Sequence, residues 1–380
     1  MLFNLKTKYL VVGSGLAGSV IAERIANVLK KEVVILEKRD HIGGNVYDYK
    51  DESGILIHKY GPHAFHTNNE KVWRYLSQFT EWHPYFHRVL AVIDGIKVPL
   101  PFNLNSIYKV FPPGLANRLE EKLISKFGYN KKVPILELKK EQDKDLKFLA
   151  EYIYEKVFLG YTLKQWGLSP EELDPNVTAR VPIYISKDNR YFQDKYQGIP
   201  KEGYTRMIEN MLDNPRIKVE LGVDFFDVQD KIKYEFLIYT GPVDRFFNYK
   251  HGILPYRSLR FWIRKYRIKY FQEVTQVNYP ENYDFTRITE FKHFLIYSDI
   301  DKTVVAYEYP QEYVYGENEP YYPVPSDVSA KIYKKYENYT KTQKNILFIG
   351  RLAEYRYYNM DQVVERALEV FETELKYLKR

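Results

Sequence analysis

Residues 8–45 read KYLVVGSGLAGSVIAERIANVLKKEVVILEKRDHIGGN, and this stretch decides the fold. The apolar run at 8–12 is of the kind that forms a buried parallel strand, and the glycine-rich sequence GSGLAG follows it directly at 13–18. Apolar residues then recur at helical spacing through 19–29, and a second apolar run at 32–36 ends on Glu37. Strand, glycine turn, helix, strand and acid in this order predict a dinucleotide-binding α/β unit.

Each element of this unit has a defined role in holding a dinucleotide. Gly13 allows the tight turn, Gly15 lets the backbone approach a pyrophosphate, and Gly18 permits close packing of the helix on the strand. The helix N-terminus offers unpaired N–H groups and a partial positive charge to the phosphates. Glu37 stands where an acid binds a ribose hydroxyl.

Later segments extend this unit and indicate which dinucleotide it binds. Residues 236–241 and 345–350 are short apolar runs that end in glycine, so we expect them to join the same parallel sheet. Gly43 and Gly44 predict a second backbone turn towards the cofactor, an arrangement typical of flavoproteins. A helix beginning at Met360 would direct its dipole at an electron-rich flavin ring. These features favour FAD over NAD.

The remaining sequence predicts two further regions. Residues 102–165 are mainly helical in pattern, most clearly at 119–127 and 146–158, whereas 181–200 and 255–323 alternate in the manner of an antiparallel sheet. The prediction is therefore an α/β protein with a discontinuous Rossmann-like FAD-binding domain, a helical domain and an antiparallel-sheet substrate domain. The FAD-binding domain takes residues 1–78, 201–246 and 325–380, the helical domain 102–164, and the sheet domain 79–101, 165–200 and 247–324.

Length and composition place the chain among globular enzymes. Its 380 residues suggest two or three domains, and 45% hydrophobic with 28% charged residues is ordinary for a globular protein. The net charge of +7 is a mild and unclustered excess, which suits an anionic small molecule and argues against a nucleic-acid partner. Tyrosine occurs 37 times, and phenols can line a polar cleft and stack on flat ligands.

The absence of cysteine excludes several kinds of chemistry. Disulfides, thiolate catalysis, iron–sulfur clusters and cysteinyl zinc sites all require a residue that this chain lacks. The N-terminal run after Lys6 and Lys8 resembles a signal peptide, but spaced glycines interrupt it and no cleavage motif follows. No run is long enough to span a membrane, so we expect a cytoplasmic enzyme.

Motifs along nearly the whole chain resemble those of bacterial UDP-galactopyranose mutases, which are flavoenzymes. The matching stretches occur in order and several are particular to this family. They are residues 13–18, 37–45, 60–67 (YGPHAFHT), 160–167 (GYTLKQWG), 196–200 (YQGIP), 239–242 (YTGP), 256–259 (YRSL), 286–290 (TRITE), 320–323 (PYYP), 350–352 and 355–357.

The resemblance implies an isomerisation without net redox change. UDP-galactopyranose and UDP-galactofuranose interconvert, and N5 of reduced FAD attacks the anomeric carbon and displaces UDP, which later returns. An external reductant such as NAD(P)H would keep the flavin reduced, and the furanose would supply cell-surface glycan synthesis. Relatives of this family are homodimers, so a homodimer is expected here.

The resemblance also assigns roles to individual residues. The protein must hold a diphosphate while a glycosidic bond breaks, which calls for arginines and phenols. The expected catalytic residues are Arg180, placed on a mobile loop, Arg287, and His63 beside the flavin. The expected substrate-binding residues are Tyr161, Thr162, Trp166, Arg180, Tyr191, Arg257, Asn278, Arg287, Tyr322, Tyr357 and His87. The expected cofactor-binding residues are Gly13, Ser14, Gly15, Ala17, Gly18, Glu37, Lys38, Gly43, Gly44, Asn45, Tyr60, Gly61, His63, Val223, Gly350, Arg351, Met360, Asp361, Gln362 and Val363.

Two departures from the family pattern bear on the sugar. The pattern has asparagine where this chain has His87, and Lys59 lies in a variable segment. A 2-acetamido sugar, UDP-GalNAc, is therefore kept as a second substrate. His58, His63 and His66 have spacings that a metal site can use, but carboxylates and cysteines are missing nearby, and no metal is expected.

Two other classes of function remain open from the sequence. An amine-oxidase-type FAD oxidoreductase shares the fold, but it needs an apolar substrate cage where this chain has arginines and tyrosines. A nucleotide-sugar or NAD-sensing binding module would not require Trp166, Arg180 and Arg287 together. Glu308 matches a family acid near the site, with no role assigned.

Overall fold

The structure, a computed structural model, describes residues 5–295 and 299–377. The predicted FAD-binding domain includes residues 1–4 and 378–380, and the predicted antiparallel sheet includes residues 296–298. These residues lie outside the described ranges. Its helices are α1 (Leu16–Arg24), α2 (Glu70–Leu76), α3 (Leu104–Val110), α4 (Pro113–Phe127), α5 (Ile135–Leu138), α6 (Lys144–Ile153), α7 (Gly160–Trp166), α8 (Pro175–Ala179), α9 (Tyr204–Leu212), α10 (Phe225–Val228), α11 (Val243–Phe246), α12 (Asp327–Thr340) and α13 (Met360–Val370).

The strands of the described residues form several separate sheets. They are β1 (Leu5–Val12), β2 (Val33–Glu37), β3 (Asp48–Lys50), β4 (Leu56–His58), β5 (Phe65–Thr67), β6 (Trp82–Pro84), β7 (Val89–Ile93), β8 (Ile96–Leu100), β9 (Lys132–Val133), β10 (Ile183–Tyr184), β11 (Tyr196–Pro200), β12 (Ile217–Leu221), β13 (Ile232–Tyr239), β14 (Tyr256–Tyr266), β15 (Gln276–Asn278), β16 (Arg287–Glu290), β17 (Thr303–Glu312), β18 (Tyr322–Pro323) and β19 (Ile346–Phe348).

A parallel sheet in the order β12–β2–β1–β13–β19 forms the dinucleotide-binding unit. The strands predicted at 8–12, 32–36, 236–241 and 345–350 are all confirmed in it. Val12 lies beside Leu36 on one side and Tyr239 on the other, so the carboxyl ends of the three strands meet at one edge. The edge strand β12 was not expected, because its charged and partly exposed sequence IKVEL lacks the signal of a buried strand.

Alternate residues of the central strands face two different cores. Val11 and Ile35 point into a core shared with α1, α9 and α13, whereas Leu10 and Leu36 face the side that holds Phe225. Both faces of the sheet are therefore covered, which explains why β2 is buried along its whole length.

A second, larger sheet has the order β18–β14–β17–β16–β15–β7–β8. Its pairs are antiparallel as predicted, except that β15 runs parallel to β7. The prediction for residues 181–200 is wrong in part. Only Ile183–Tyr184 and Tyr196–Pro200 form strands there, and they pair with β9, β5 and β6 outside this sheet.

The helical region packs around its own core. The helices predicted at 119–127 and 146–158 are confirmed as Pro113–Phe127 and Lys144–Ile153, the second continuing as a π-helical turn at Tyr154–Leu159. Leu119, Leu123 and Leu149 are fully buried between these helices. The predicted division into three domains remains a prediction. None of the helices within residues 5–295 and 299–377 combines the length and apolarity needed to cross a membrane.

Candidate active site

A cavity of about 570 Å³ opens at the carboxyl edge of the parallel sheet, where β1, β2 and β13 end. Crevices at this edge are where open α/β sheets bind ligands. Many of the expected cofactor-binding residues line it. They are Gly13, Gly15, Ala17, Glu37, Lys38, Gly43, Gly44, Asn45, His63, Val223, Gly350, Arg351, Met360 and Val363.

Backbone from two glycine turns forms the floor of this first cavity. Gly13 has φ +99° and its N–H donates to the carbonyl of Leu36 at 2.8 Å, which produces the tight turn into α1. Gly44 has φ +54°, and a Cβ added there would lie 2.9 Å from the Cα of Gly15. The two turns therefore touch through backbone alone, and any side chain at this point would force them apart.

Glu37 is held in place by the turn before α1. Its carboxylate accepts hydrogen bonds from the Ser14 N–H at 2.9 Å, the Ser14 hydroxyl at 2.8 Å and the Arg39 N–H at 3.0 Å. The acid is buried at the cavity wall with a lone pair still available to a ribose hydroxyl. Ser14 itself does not line the cavity, because its polar groups are directed at Glu37.

Several other expected cofactor-binding residues do not line the cavity but contact residues behind its wall. Gly18 packs against the carbonyl of Gly13, and the Tyr60 hydroxyl pairs with His41 Nε2 at 2.7 Å. Asp361 accepts from the Thr67 hydroxyl at 2.9 Å, and the side chain of Gln362 accepts the Asn359 N–H at 2.8 Å, closing a cap on α13. The remaining member of this group is Gly61, which lies beside Phe261.

These features fit a flavin dinucleotide. Glycine backbone lies at the N-terminus of α1, an acid stands at the end of β2, and the N-terminus of α13 reaches the same cavity through Met360. A segment missed by the sequence analysis, residues 313–319, also contributes to the lining of the cavity, and its Glu319 carboxylate contacts Lys38 at 2.7 Å. The only hint of this segment in the sequence was its proximity to the 320–323 motif.

A second cavity, of about 430 Å³, adjoins the first. Segments far apart in the chain line it. The expected substrate residues on its wall are Tyr161, Thr162, Trp166, Arg180, Tyr191, Asn278, Arg287, Tyr322 and Tyr357. Arg351 marks the junction, because it lines the first cavity and stacks over Tyr322 and Tyr357, at 5.1 and 5.6 Å from their ring centres.

Arg287 forms the principal ion pair of the second cavity. Its Nε and Nη2 lie 2.8 and 2.7 Å from Glu308 Oε2, and the acid is only 2% exposed. Burial by itself would lower the pKa of Arg287, but the charge of Glu308 raises it above the ordinary value. The other oxygen of Glu308, Oε1, is buried without a hydrogen-bond partner among the described residues. This pair keeps a fixed positive charge on the cavity wall.

Arg180 follows α8, a short helix that Asp174 caps. Its guanidinium donates to the carbonyl of Tyr357 at 3.0 Å and to Asn359 Oδ1, and lies 4.0 Å over the Tyr357 ring. The segment expected to be a mobile loop around Arg180 therefore contains a helical turn, and its arginine is in contact with the opposite wall of the cavity.

Three phenols of the second cavity, Tyr161, Tyr191 and Tyr322, stay protonated. Burial raises the pKa of Tyr191 and of Tyr322 to about 12, and it also raises the pKa of Tyr161. At neutral pH each hydroxyl can therefore donate a hydrogen bond to an anionic oxygen. Two arginines and several phenols around a cavity of this size suit a diphosphate.

Two expected substrate-binding residues, Arg257 and His87, do not line the second cavity. Neither does Lys59, which was named for its bearing on the sugar. Arg257 donates from Nε to the carbonyl of Gln165 at 2.9 Å and from Nη2 to that of Lys164 at 3.0 Å, so it caps the C-terminus of α7. His87 is buried behind the wall against Tyr191, and burial lowers its pKa to about 3. Lys59 is exposed, 5.6 Å from the Tyr60 ring centre.

The three histidines with suggestive spacing do not converge. His58 stacks on Phe294 with ring centres 4.7 Å apart and accepts the His63 N–H at 3.0 Å through Nδ1. His66 instead pairs with Asp194 at 3.1 Å. His63 alone reaches the first cavity, and burial lowers its pKa to about 3. Within the described ranges no group of three or more histidines and carboxylates is arranged to hold a metal ion.

The sequence analysis missed Gln276 of the second cavity, although Asn278 was among the expected substrate-binding residues. Gln276 and Asn278 lie two apart on β15, so they share a face, and the Gln276 amide donates to Asn278 Oδ1 at 2.9 Å. This spacing was the available signal. Gln165, Pro280, Phe192 and Asn359 also line the cavity and belong to segments whose proximity only the fold produces.

The family is decided by comparison with known proteins. A model of the UDP-galactopyranose mutase family matches residues 156–357. A probable UDP-galactopyranose mutase of Klebsiella pneumoniae is 39% identical over 363 residues, which cover 95% of this chain and 92% of the relative. The chain belongs to the UDP-galactopyranose mutase family. It is an enzyme of the mutase class, and the expected resemblance is confirmed.

Other comparisons refine this family assignment. A model of the NAD(P)-binding Rossmann-like domain matches residues 11–79, in agreement with the first cavity. A dTDP-fucopyranose mutase of Escherichia coli is 37% identical over 376 residues, covering 97% of this chain and 98% of that protein. The relatives similar to this chain thus differ in the nucleotide and sugar for which they are named.

Solved structures establish the same fold at low sequence identity. A reduced UDP-galactopyranose mutase superposes with a TM-score of 0.73 at 15% identity, covering 98% of this chain and 96% of the other. A putrescine oxidase superposes with a TM-score of 0.57 at 9% identity, covering 98% and 99%. The amine-oxidase alternative therefore shares the fold, whereas the family match belongs to the mutases.

Proposed function

We propose that this enzyme interconverts UDP-galactopyranose and UDP-galactofuranose, with FAD in the first cavity and the nucleotide sugar in the second. The observation that carries the proposal is the junction of the two cavities. Arg351, Tyr322 and Tyr357 meet there, next to the buried Arg287–Glu308 pair. A diphosphate held by these groups has its sugar directed at the first cavity.

The second cavity is lined by two kinds of side chain. Arg180, Arg287 and the phenols supply positive charge and hydrogen-bond donors, and Arg180 lies over Tyr357 at the junction. Leu100, Pro101, Val157 and Phe158 also line the cavity and suit the flat face of a base. With the diphosphate at the junction, the base would lie against these apolar residues and the sugar towards the first cavity.

The residues of the junction stabilise the charge that develops when the sugar leaves UDP. Reduced FAD, when bound, supplies the electron-rich nitrogen that attacks the anomeric carbon. Arg287 stays charged through Glu308, and Arg180 uses two of its N–H groups on the wall and keeps others for a phosphate. Such donors act most strongly on the oxygen atoms where charge grows in the transition state.

His63 remains neutral in this arrangement. Because burial lowers its pKa to about 3, its imidazole offers a hydrogen bond to the flavin without adding a positive charge. We further propose that an external reductant such as NAD(P)H keeps the flavin reduced, and that the enzyme works in the cytoplasm as a homodimer.

One incubation tests the reaction. The purified enzyme is given UDP-galactofuranose under anaerobic conditions with and without dithionite, and the products are separated by chromatography. We expect UDP-galactopyranose only in the reduced sample, and an oxidised-flavin absorbance spectrum before reduction. A colourless protein argues against the cofactor, equal turnover without reductant against the flavin mechanism, and no turnover in either sample against the reaction.

The same assay decides which sugar is preferred. UDP-galactose, UDP-GalNAc and dTDP-fucopyranose are compared at equal concentration, the last because a relative of this chain is a dTDP-fucopyranose mutase. We expect UDP-galactose to react best and UDP-GalNAc measurably. Absence of UDP-GalNAc turnover would restrict the enzyme to sugars without the acetamido group, and faster turnover of dTDP-fucopyranose would reassign the substrate.

A further inference from the structure

Lys164 occupies an unusual environment on the outer side of α7. Its ammonium lies among four backbone carbonyls, those of Tyr279, Glu281, Tyr283 and Phe285, the last three at 2.9, 3.2 and 3.2 Å. An ammonium has three N–H donors, so four converging carbonyls surround it as dipoles surround a bound cation. The carbonyls come from alternate residues of a single turn.

That turn connects two strands of the second cavity. Residues 279–286 join β15, which ends at Asn278, to β16, which begins at Arg287. Asn278, Arg287 and Pro280 all line the cavity. The position of the turn therefore sets the position of the positively charged side chain that the proposed diphosphate requires.

The helix that carries Lys164 contributes the facing wall of the same cavity. Tyr161, Thr162, Gln165 and Trp166 of α7 line it. Gly160 packs so closely on the turn that an added Cβ would collide with the carbonyl of Pro280. The Lys164 ammonium is thus the polar link between the helix on one side of the nucleotide and the turn on the other.

The link depends on a charge that is partly removed from water. Burial lowers the pKa of Lys164 to about 8, a shift that the nearby Asp284 opposes. The Glu281 carbonyl also accepts the Tyr283 N–H at 2.8 Å, and Tyr283 is exposed, so the loss of the ammonium would fall mainly on the partly buried carbonyls of Tyr279 and Phe285. Partly buried carbonyls that lose a charged donor are destabilising. The turn would then move to find other partners, taking Asn278 and Arg287 with it.

We propose that Lys164 is a positioning residue of the nucleotide-sugar site, a tethered cation that holds the 279–286 turn and through it Asn278 and Arg287. It acts through these residues and does not touch the substrate. The proposal rests on the proposed function, because it assumes that the second cavity binds the UDP group.

The first test is UDP binding by the flavin-loaded enzyme, measured by calorimetry, together with kcat/KM under dithionite. Lys164→Met keeps the length and apolar stem of the side chain and removes its charge. We expect UDP to bind roughly tenfold more weakly and kcat/KM to fall further, with flavin content unchanged. If the Met variant does not fold, Lys164→Gln, which retains N–H donors, is measured in its place and should lose less.

Lys156 provides a matched control. It is also a lysine directed at the same turn, but it contacts the side chain of Glu281 at 3.1 Å and that of Asp94. Because this contact joins partly exposed side chains, 32% for Lys156 and 26% for Glu281, and leaves no carbonyl without a donor, Lys156→Met should change UDP binding less than twofold. Equal effects of the two substitutions would overturn the proposal.

Chemical rescue separates a cation site from a general packing role. Lys164→Ala leaves space for the missing three carbons and nitrogen, so n-propylammonium should restore UDP binding and turnover in part. Tetramethylammonium has the same charge but no N–H donor, and it should restore neither. Equal responses to both ions, or wild-type UDP binding by Lys164→Met, would overturn the inference. A wild-type enzyme that fails to bind UDP would instead contradict the proposed function.

Discussion

The two cavities of this enzyme are built from different parts of the polypeptide. The floor of the first is backbone from one contiguous stretch, where the turns of Gly13, Gly15 and Gly44 touch at the end of a parallel sheet, and segments from the rest of the chain complete its walls. The second is formed by side chains from segments that lie far apart in the chain, with the buried Arg287–Glu308 pair among them.

Because of this difference, we expect different kinds of substitution to impair the two cavities. A cavity with a backbone floor has no spare volume, so it is destroyed when atoms are added. A cavity lined by charged and phenolic side chains loses function when groups are removed, because its fold does not depend on each of them. The predictions below test this contrast, from the largest effect to the smallest.

The largest effect is expected from one methyl group in the first cavity. Gly44→Ala would place a Cβ 2.9 Å from the Cα of Gly15 at a residue with φ +54°. We expect the purified variant to contain little or no flavin, measured by absorbance after denaturation. Gly54→Ala is the control, since Gly54 also has a positive φ of +78° but no neighbour within 4 Å. Equal flavin content in both variants would refute the role of close backbone contact.

The next effect concerns a side chain of the second cavity. Arg180→Ala should reduce kcat by roughly 10²-fold, the scale of one lost electrostatic stabiliser, while flavin content is unchanged. Arg180→Lys should recover only part of the rate, because an ammonium cannot reproduce the planar fork that lies over Tyr357. Both are measured under dithionite. Near-normal turnover of Arg180→Ala would mean that this arginine is dispensable.

A moderate effect is expected from acid. Burial lowers the pKa of His58, His63 and His87 to about 3, whereas an unfolded histidine titrates near 6.5. The stability that these neutral rings contribute is present above about pH 6.5 and is lost as pH falls towards 3. For each pH unit that the solution is acidified within that window, each ring lowers the free energy of unfolding by at most about 1.4 kcal/mol.

Urea unfolding at several pH values between 5 and 7.5 measures this slope. His58→Asn retains an acceptor near Nδ1, which receives the His63 N–H at 3.0 Å, but removes one titrating ring. Its free energy of unfolding should therefore decline less steeply with acid than that of the wild type. If the two proteins show the same pH dependence of the free energy of unfolding, the ring of His58 is accessible to water in solution.

The smallest effect is expected at the rim of the first cavity. Lys38 Nζ lies 2.7 Å from Glu319 Oε2, but the two side chains are 41% and 42% exposed. Glu319→Gln should change the free energy of unfolding by less than about 1 kcal/mol and raise the rate of flavin release only slightly. Thermal melting and flavin fluorescence provide the measurements. A large loss of flavin would show that this pair holds the cofactor in place.

The sequence predicted the Rossmann-like unit at the first cavity because its pattern is local. The order of strand, glycine turn, helix and acid lies within 8–45, and hydrogen bonds inside that stretch, such as those from Ser14 to Glu37, complete it. Residues assigned by family resemblance were harder to place. Tyr60 and Gly61 lie in a matching motif and Asp361 and Gln362 follow the last one, but their side chains or backbone support the cavity from behind.

The side-chain contacts of the second cavity could not be predicted from the sequence. Arg180 and Arg287 were identified through motifs, but no local pattern gives the Glu308 pairing or the contact between Arg180 and Asn359. Arg257 was expected at the substrate, and the fold instead brings it to the carbonyl end of α7.

By itself the sequence therefore determined the parallel sheet and the dinucleotide turn, because hydrophobic periodicity and glycine conformations act over a few neighbouring residues. Its motifs indicated the family by resemblance. Only the tertiary structure decided which side chains face the nucleotide sugar and which support it. Lys164 illustrates the reason, since its cage forms only when α7 packs on the turn between β15 and β16. Contacts between distant segments depend on how whole elements pack, and no short stretch of sequence encodes that geometry.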